Sequence, residues 1–231
     1  SEMNLGAAWN YNHVFKLSSG TYFKWAAADD LFTPDYLETC VAVLDTQPEV
    51  ILCYPKTIII DEHGHQLGPY DDNLDLRYPS VRKRFRQAIT RMQECNAVFG
   101  VIRSDVLRRT SLIGNYLASD NVLLTELALM GQFCEFPKYL FFRRQHKHAS
   151  SSQTQEGIQE FFDPKTRGSL CLQNWKHLAQ YIVTVKRAPL NPLEKIQLAY
   201  IVWRSAITRR HRLAQESLLA GRQLLCRWLT P

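Results

Sequence analysis

Apolar positions along the chain recur with two different periods. Ala7, Ala8, Tyr11, Val14 and Phe15 fall at helical spacing, which predicts a helix over Ala7–Leu17 stopped by Gly20. Thr21–Ala28 is short, aromatic and apolar, so it reads as a buried strand ending in Asp29-Asp30. Thr33-Pro34-Asp35 supplies a capping hydroxyl, a Pro at the first helical position and an early acid. The helix it starts carries Leu37, Cys40, Val41 and Leu44 on one face and closes at Pro48. Val50–Tyr54 and Thr57–Ile60 are strand-like, Asp61-Glu62-His63-Gly64 is a turn, and 66–80 reads as a loop. Ser80 is placed to cap a helix with Phe85, Ile89 and Met92 inside. Ala97–Ile102 predicts a strand, and Ser104-Asp105 opens a short helix. Asp120 stands at the cap position of a helix over 121–130 that Gly131 ends. Phe133–Phe136 and Tyr139–Arg144 are the last strands.

After a polar Ser/Gln linker, Ala149–Thr154, the period becomes helical throughout. Trp175, Leu178, Ile182 and Val185 form one apolar face, and Ile196, Tyr200, Trp203 and Ile207 form a second. Between them, Asn191-Pro192-Leu193-Glu194 has the pattern of a capping box with Pro at the first position. His211–Leu229 is amphipathic and rich in Leu and Arg. The pattern therefore predicts an α/β body over 1–150 and a basic amphipathic helical segment over 151–231.

Composition adds one thing to this picture. A chain of 231 residues with 45% hydrophobic and 22% charged residues is globular and long enough for a real core. Its charge of +6 is unevenly placed. Residues 1–164 hold 16 basic and 20 acidic side chains, whereas 165–231 hold 12 basic and 2 acidic, a balance of −4 against +10. A basic amphipathic segment can lie on an anionic membrane surface or simply solvate a small helical unit. Nucleic acid is not an expected partner, because no base-stacking motif accompanies the charge. No apolar run approaches the roughly 20 residues that span a bilayer, and Ser1–Asn10 lacks a signal-peptide pattern. The six cysteines (Cys40, Cys53, Cys95, Cys134, Cys171, Cys226) are scattered without a C-x-x-C pair. Free thiols and a cytoplasmic location are expected, with the membrane periphery as the variant that the basic segment suggests.

Three constellations carry candidate chemistry. Asp29-Asp30, at the carboxyl end of a buried strand, offers oxygen ligands suited to Mg²⁺ or Mn²⁺, or else begins the turn before Thr33-Pro34. Asp120 either caps its helix or, if it reaches an open cleft, serves chemistry. Arg143, Arg144, His146 and His148 combine bidentate phosphate donors with imidazole ligands, or form a solvated strand end.

Taken together, these stretches resemble a family 2 glycosyltransferase of the GT-A fold. The resemblance runs through Asn4-Leu5-Gly6-Ala7-Ala8 with Asn10 and Asn12, and Gly20-Thr21-Tyr22-Phe23-Lys24-Trp25 leading into Asp29-Asp30. It continues with Pro34, Tyr36 and Leu37, then Phe99-Gly100-Val101-Ile102-Arg103 and Ser119-Asp120. Leu123–Gly131 and Leu140-Phe141-Phe142-Arg143-Arg144-Gln145-His146 complete it, so that it covers about residues 4–150. The resemblance implies an inverting transfer of sugar from a nucleotide-sugar donor to a glycan or other hydroxyl acceptor. It implies Mg²⁺ or Mn²⁺ held by Asp29, Asp30 and His146, with His148 as a less secure ligand. Asp29 matches the last Asp of the family's D-x-D motif, and Asp120 matches its catalytic base. Arg143 and Arg144 are implied contacts to the donor diphosphate.

The chain departs from the family pattern in three ways. The first Asp of D-x-D falls on Ala27, and Ser119 stands where many relatives carry an acid. The amino-terminal strand–helix–strand unit that holds the nucleotide in relatives is missing before Asn4, which gives an N-terminally truncated GT-A-like mixed sheet with a C-terminal helical segment. Three expectations follow from that absence. The chain alone binds nucleotide-sugar weakly, its sheet has an uncovered edge, and that edge favours a homodimer. The alternative reading is a non-catalytic binding or membrane-associated module derived from a truncated glycosyltransferase.

Overall fold

The computed structural model of the chain describes residues 4–92, 96–146, 155–166, 170 and 172–229. The Ala149–Thr154 linker and His148 lie outside the described residues.

The first helix, α1, spans Ala7–Leu17 as the pattern predicts, with Ala7, Ala8 and Phe15 turned inward. It starts from Gly6, whose φ of 84° places it in the left-handed region. A Cβ on Gly6 would come within 2.5 Å of the Phe162 carbonyl oxygen, so this contact also demands glycine. The expected strand over Thr21–Ala28 shrinks to β1, Tyr22–Phe23. Its only ladder partner is β5, Val101–Arg103, which is itself three residues long. Beyond Phe23 the chain leaves the sheet, Trp25 enters the core, and its indole N–H donates to the Tyr11 carbonyl at 3.0 Å.

β2, Leu31–Phe32, follows the Asp29-Asp30 turn, and α2 then runs over Tyr36–Thr46. β3 is one strand, Val50–Ile60, and not two, because it passes through Pro55 with a register irregularity there. β4, Gln66–Tyr70, pairs with its far end where the pattern suggests a loop. Gly68 and Pro69 conceal this strand in the sequence, and they are tolerated because β4 is an edge strand. α3, Val81–Arg91, starts at Ser80, whose hydroxyl accepts from the Lys83 N–H. The predicted strand over Ala97–Ile102 is instead a short 3₁₀ turn, Asn96–Phe99, followed by β5. α4 is Ser104–Leu107 and α5 is Ser119–Met130. β6, Gln132–Arg144, runs unbroken through Pro137.

The sheet has the order β1-β5-β3-β6-β2, with β4 added to β3. β3 and β6 are parallel, from Val50–Gln132 to Ile60–Arg144, and the other pairs are antiparallel. Alternate residues of β3 face opposite layers. Leu52 and Tyr54 join Phe15, Trp25, Leu123 and Leu127 on the α1/α5 side. Cys53 joins Tyr36, Cys40 and Leu44 of α2 on the other, and so does Val50, because the register shifts between Val50 and Leu52. Cys40, Cys53 and Cys134 are buried free thiols, as expected. The outer side of β6 is partly covered, for Phe133 and Leu140 carbonyls accept from Leu76 and Thr33 N–H groups and β2 pairs with Phe141–Phe142.

The carboxyl-terminal helices are α6, Gln155–Phe162, α7, Gln173–Arg187, α8, Pro192–Thr208, and α9, Arg210–Leu229. α7 packs against α5 and α8 against α3, α9 lies on α7 and α8, and α6 lies against α1. Phe85, Ile89, Val122 and Leu129 share one core with Leu178, Tyr181, Val185, Leu198, Ile201 and Val202. α8 therefore turns inward a different stripe from the predicted one. Leu198, Ile201 and Val202 are buried, whereas Ile196, Tyr200, Trp203 and Ile207 are exposed. α8 is apolar on two sides, and periodicity alone does not choose between them. Among the described residues no helix is long and apolar enough to cross a membrane.

Candidate active site

The parallel pair β3/β6 brings its carboxyl ends to one side of the sheet, where α/β folds open their ligand crevices. Arg143, Arg144 and His146 arrive there at the end of β6, and the Asp29-Asp30 turn lies against them. The Arg144 backbone N–H donates to Asp30 Oδ1 at 2.9 Å. Its guanidinium donates to three main-chain carbonyls: Asp29 at 2.9 Å, Asp61 at 2.8 Å and Glu62 at 3.0 Å. Arg144 thus clamps the acidic turn to the β3–β4 turn, which places it in the scaffold around the site.

Asp29 is the exposed member of the acid pair, and its Oδ2 lies 2.9 Å from His146 Nε2. Asp30 is half-buried, and burial raises its carboxyl above the ordinary value although the Arg144 N–H stabilises the anion. The three expected metal ligands are therefore not gathered as a set. Asp29 and His146 meet, while one oxygen of Asp30 is committed to Arg144. Among the described residues no group of three or more His, Cys, Asp or Glu is placed to hold a metal ion. Asp29 and His146 present one carboxylate and one imidazole, the donors that would remain to hold a divalent cation here.

Asp120 enters from the start of α5. It is not the cap of that helix. The cap position is Ala118, in the left-handed conformation at φ 54° and ψ 37°, with no side-chain cap bond. The strained turn puts Asp120 inside the first helical turn, where its Oδ1 accepts from the Asn121 N–H at 3.0 Å. Asp120 is partly open to solvent yet densely surrounded, as at the floor of a recess, and burial raises its carboxyl above the ordinary range. The Arg143 guanidinium partly opposes that rise.

Tyr11, on α1, ties the two acidic elements together. Burial raises its phenol first, and the negative fields of Asp120, Asp30 and Asp29 raise it further. Carboxylates that lie 90 residues apart in sequence thus act on one hydroxyl. α1 is held in place by Asn12, whose amide makes a reciprocal pair with the Ile113 backbone: Nδ2 to O at 2.8 Å and N to Oδ1 at 3.0 Å.

Arg143 stands behind this group. Its charge acts on Asp30, Asp120, Tyr11 and Asp72, and its Nη1 donates to Asn96 Oδ1 at 3.0 Å. Burial pushes the Asp72 carboxyl up to about 7, although the Ala97 N–H donates to its Oδ2 at 2.8 Å and the Asn96 N–H also favours the anion. Asp72 Oδ1 and Asn96 Nδ2 are buried with no hydrogen-bond partner. Lys24 forms the other flank. Its ammonium lies 4.9 to 5.7 Å from the ring centroids of Tyr36, Phe32 and Phe141, and burial lowers it to about 8 despite the nearby Asp30.

Sequence reasoning named Asp29, Asp30, Asp120, Arg143 and His146, all of which reach this end of the sheet. It missed Tyr11, Lys24, Asp72 and Asn96. A lysine inside the aromatic run Tyr22–Trp25 was the available signal for Lys24. Tyr11 passed as one more apolar-face residue.

Residues 1–113 match the family model described as Glycosyl transferase family 2. The matched stretch contains Tyr11, Asp29, Asp30, Asp72 and Asn96, while Asp120 and β6 lie beyond it. No curated protein matches the chain.

Proposed function

We propose, from the premise that the chain carries a family 2 glycosyltransferase-like domain of GT-A-like fold, that its acidic crevice transfers a sugar from a nucleotide-sugar to an acceptor hydroxyl with inversion. The observation that carries this reading is the meeting of Asp29 with His146, and of Asp30 with the Arg144 N–H, at the carboxyl end of the parallel strand pair, with the fields of Asp29, Asp30 and Asp120 all acting on the Tyr11 phenol. Asp120 is the general base. A carboxylate whose proton affinity is raised by burial is better matched to deprotonating a hydroxyl near neutral pH than an ordinary aspartate. The acceptor oxygen bonds to the anomeric carbon as the bond from that carbon to the diphosphate breaks. The acceptor proton goes to Asp120, and the electron pair leaves with the diphosphate. A single displacement of this kind inverts the anomeric centre.

Asp29 with His146 would hold Mg²⁺ or Mn²⁺, which when bound supplies positive charge to the departing diphosphate. Arg143 adds a cation on the same side and partly offsets the rise that burial causes in the Asp120 and Asp30 carboxyls. Arg144 acts through the turns it clamps and not by contact with the donor. The donor nucleotide and sugar are to be identified by assay.

The test is diphosphate release from a panel of nucleotide-sugars supplied well above ordinary KM values with Mn²⁺, followed by NMR of the glycoside formed. Release with inverted anomeric configuration is expected. A product of retained configuration, or an Asp120→Asn variant as fast as the parent, would overturn the assignment.

A further inference from the structure

The outer stripe of α8 is an apolar surface that the core does not use. Leu193, Ile196, Tyr200, Trp203 and Ile207 are 65%, 66%, 55%, 57% and 41% exposed. Their spacing of three and four residues lines them along one side of the helix. The opposite side, Leu198, Ile201 and Val202, is already committed to α3 and α7. Tyr200 and Trp203 stack with centroids 5.7 Å apart, which makes a flat amphipathic surface midway along the stripe.

The charge around this stripe is one-sided. Residues 165–231 carry 12 basic side chains and 2 acidic ones. Both acids are spent internally. Glu194 closes the capping box at Asn191, and Glu216 accepts from the Asn174 backbone and amide. Arg204 adjoins Trp203 on α8, and Arg212 and Arg222 follow on α9. Among the described residues none of these three guanidinium groups makes a hydrogen bond or ion pair. α9 also exposes Leu218, Leu219 and Leu225. Exposed leucine, isoleucine, tyrosine and tryptophan beside uncommitted arginine match the depth profile of a bilayer surface. Aliphatic groups enter the acyl boundary, aromatic rings sit at the headgroups, and guanidinium groups meet phosphate.

We propose that the α8 stripe, with the arginines of α8 and α9, docks the chain on a bilayer containing anionic phospholipid. A second copy of the chain is the competing occupant of such a stripe. It is disfavoured because it would set two strongly basic segments against each other. The inference does not depend on sugar transfer, since it uses none of the residues of the acidic crevice.

The experiment is cosedimentation of the whole chain with vesicles of phosphatidylcholine alone or with about a third phosphatidylserine, at low and high salt. Binding should be at least tenfold stronger to the anionic vesicles and should weaken as salt rises. A Tyr200→Ala/Trp203→Ala double variant should lose most of it, and an Arg204→Gln/Arg212→Gln/Arg222→Gln variant should lose the preference for anionic lipid. All five positions are exposed or without partners, so unchanged melting curves would verify that the variants fold. Equal binding to neutral and anionic vesicles, or full binding by the aromatic double variant, would overturn the proposal. Light scattering separates the competing occupant: a dimer in the absence of lipid that Ile196→Glu dissociates would assign the stripe to a second copy instead.

Discussion

Two helices of this chain begin at residues that read as N-caps, and the fold uses them in opposite ways. At α8, Asn191 Oδ1 accepts from the Glu194 N–H at 2.9 Å, and the Glu194 carboxylate accepts from the Asn191 N–H at 3.1 Å. Pro192 at the first position completes the start, and every local polar group is used for stability. At α5 the turn is strained at Ala118, the Ser119 hydroxyl is buried without a partner among the described residues, and Asp120 Oδ1 accepts from its neighbour's N–H. Stability is forgone there, and what remains is a desolvated carboxylate at the edge of a crevice. Polar groups left unsatisfied beneath a cleft mark function more clearly than residue type does.

The largest test of that contrast is Asp120→Asn. If the carboxylate is the base, turnover falls by roughly 10²–10⁴-fold while donor binding, followed by calorimetry, changes little. The fold should not suffer, because Asn retains an acceptor for the Asn121 N–H and removes a buried charge. A variant that loses stability in step with activity would make Asp120 a structural cap after all. The acid limb of the pH–rate profile should also lie above the ordinary aspartate value of about 3.9, since burial raises the Asp120 carboxyl.

Next in size is Asp72, beneath Arg143. In the folded state its carboxyl titrates at about 7 because it is buried, and it faces Glu135, Arg143 and the Ala97 N–H. The unfolded chain releases that proton near 3.9. Between these values the folded state binds more protons, so stability is full below about pH 4 and falls as pH rises through 7. The upper bound for this one group is about 4 kcal/mol. Asp72→Asn should therefore raise the melting temperature at pH 8 and matter much less at pH 5. A variant equally affected at both pH values would show that the charge at Asp72 is not what the burial costs.

Much of the architecture was legible because local and tertiary signals agree in it. α1 keeps its predicted bounds, Ser80 and Asn191 cap as their neighbours suggest, and Asp29 meets His146 at the end of β6. The failures share a physical cause, which is competition from distant partners. The aromatic run after Thr21 has the composition of a long strand, but β5 offers it only a short ladder. α8 carries two apolar stripes, and the position of Phe85 and Ile89 on α3 decides which is buried. Asp72 and Asn96 meet Arg143 only through the closure of the sheet, so no local pattern announces them.

The smallest effects give the cleanest comparison of the two helix starts. Asn191→Ala removes the acceptor for the Glu194 N–H and unlocks the reciprocal bond, so it should cost about 1 kcal/mol. Ser119→Ala is the matched change at α5. The Ser119 hydroxyl is buried with no partner, so its removal leaves nothing unpaired and sheds a desolvation cost. Ser119→Ala should be neutral or stabilising by a few tenths of a kcal/mol, within the range of changes that break no hydrogen bond. Denaturant melts of both variants measure this directly. If Ser119→Ala costs as much as Asn191→Ala, then the α5 start is an ordinary cap, and the desolvated acid beside it owes nothing to an unsatisfied turn.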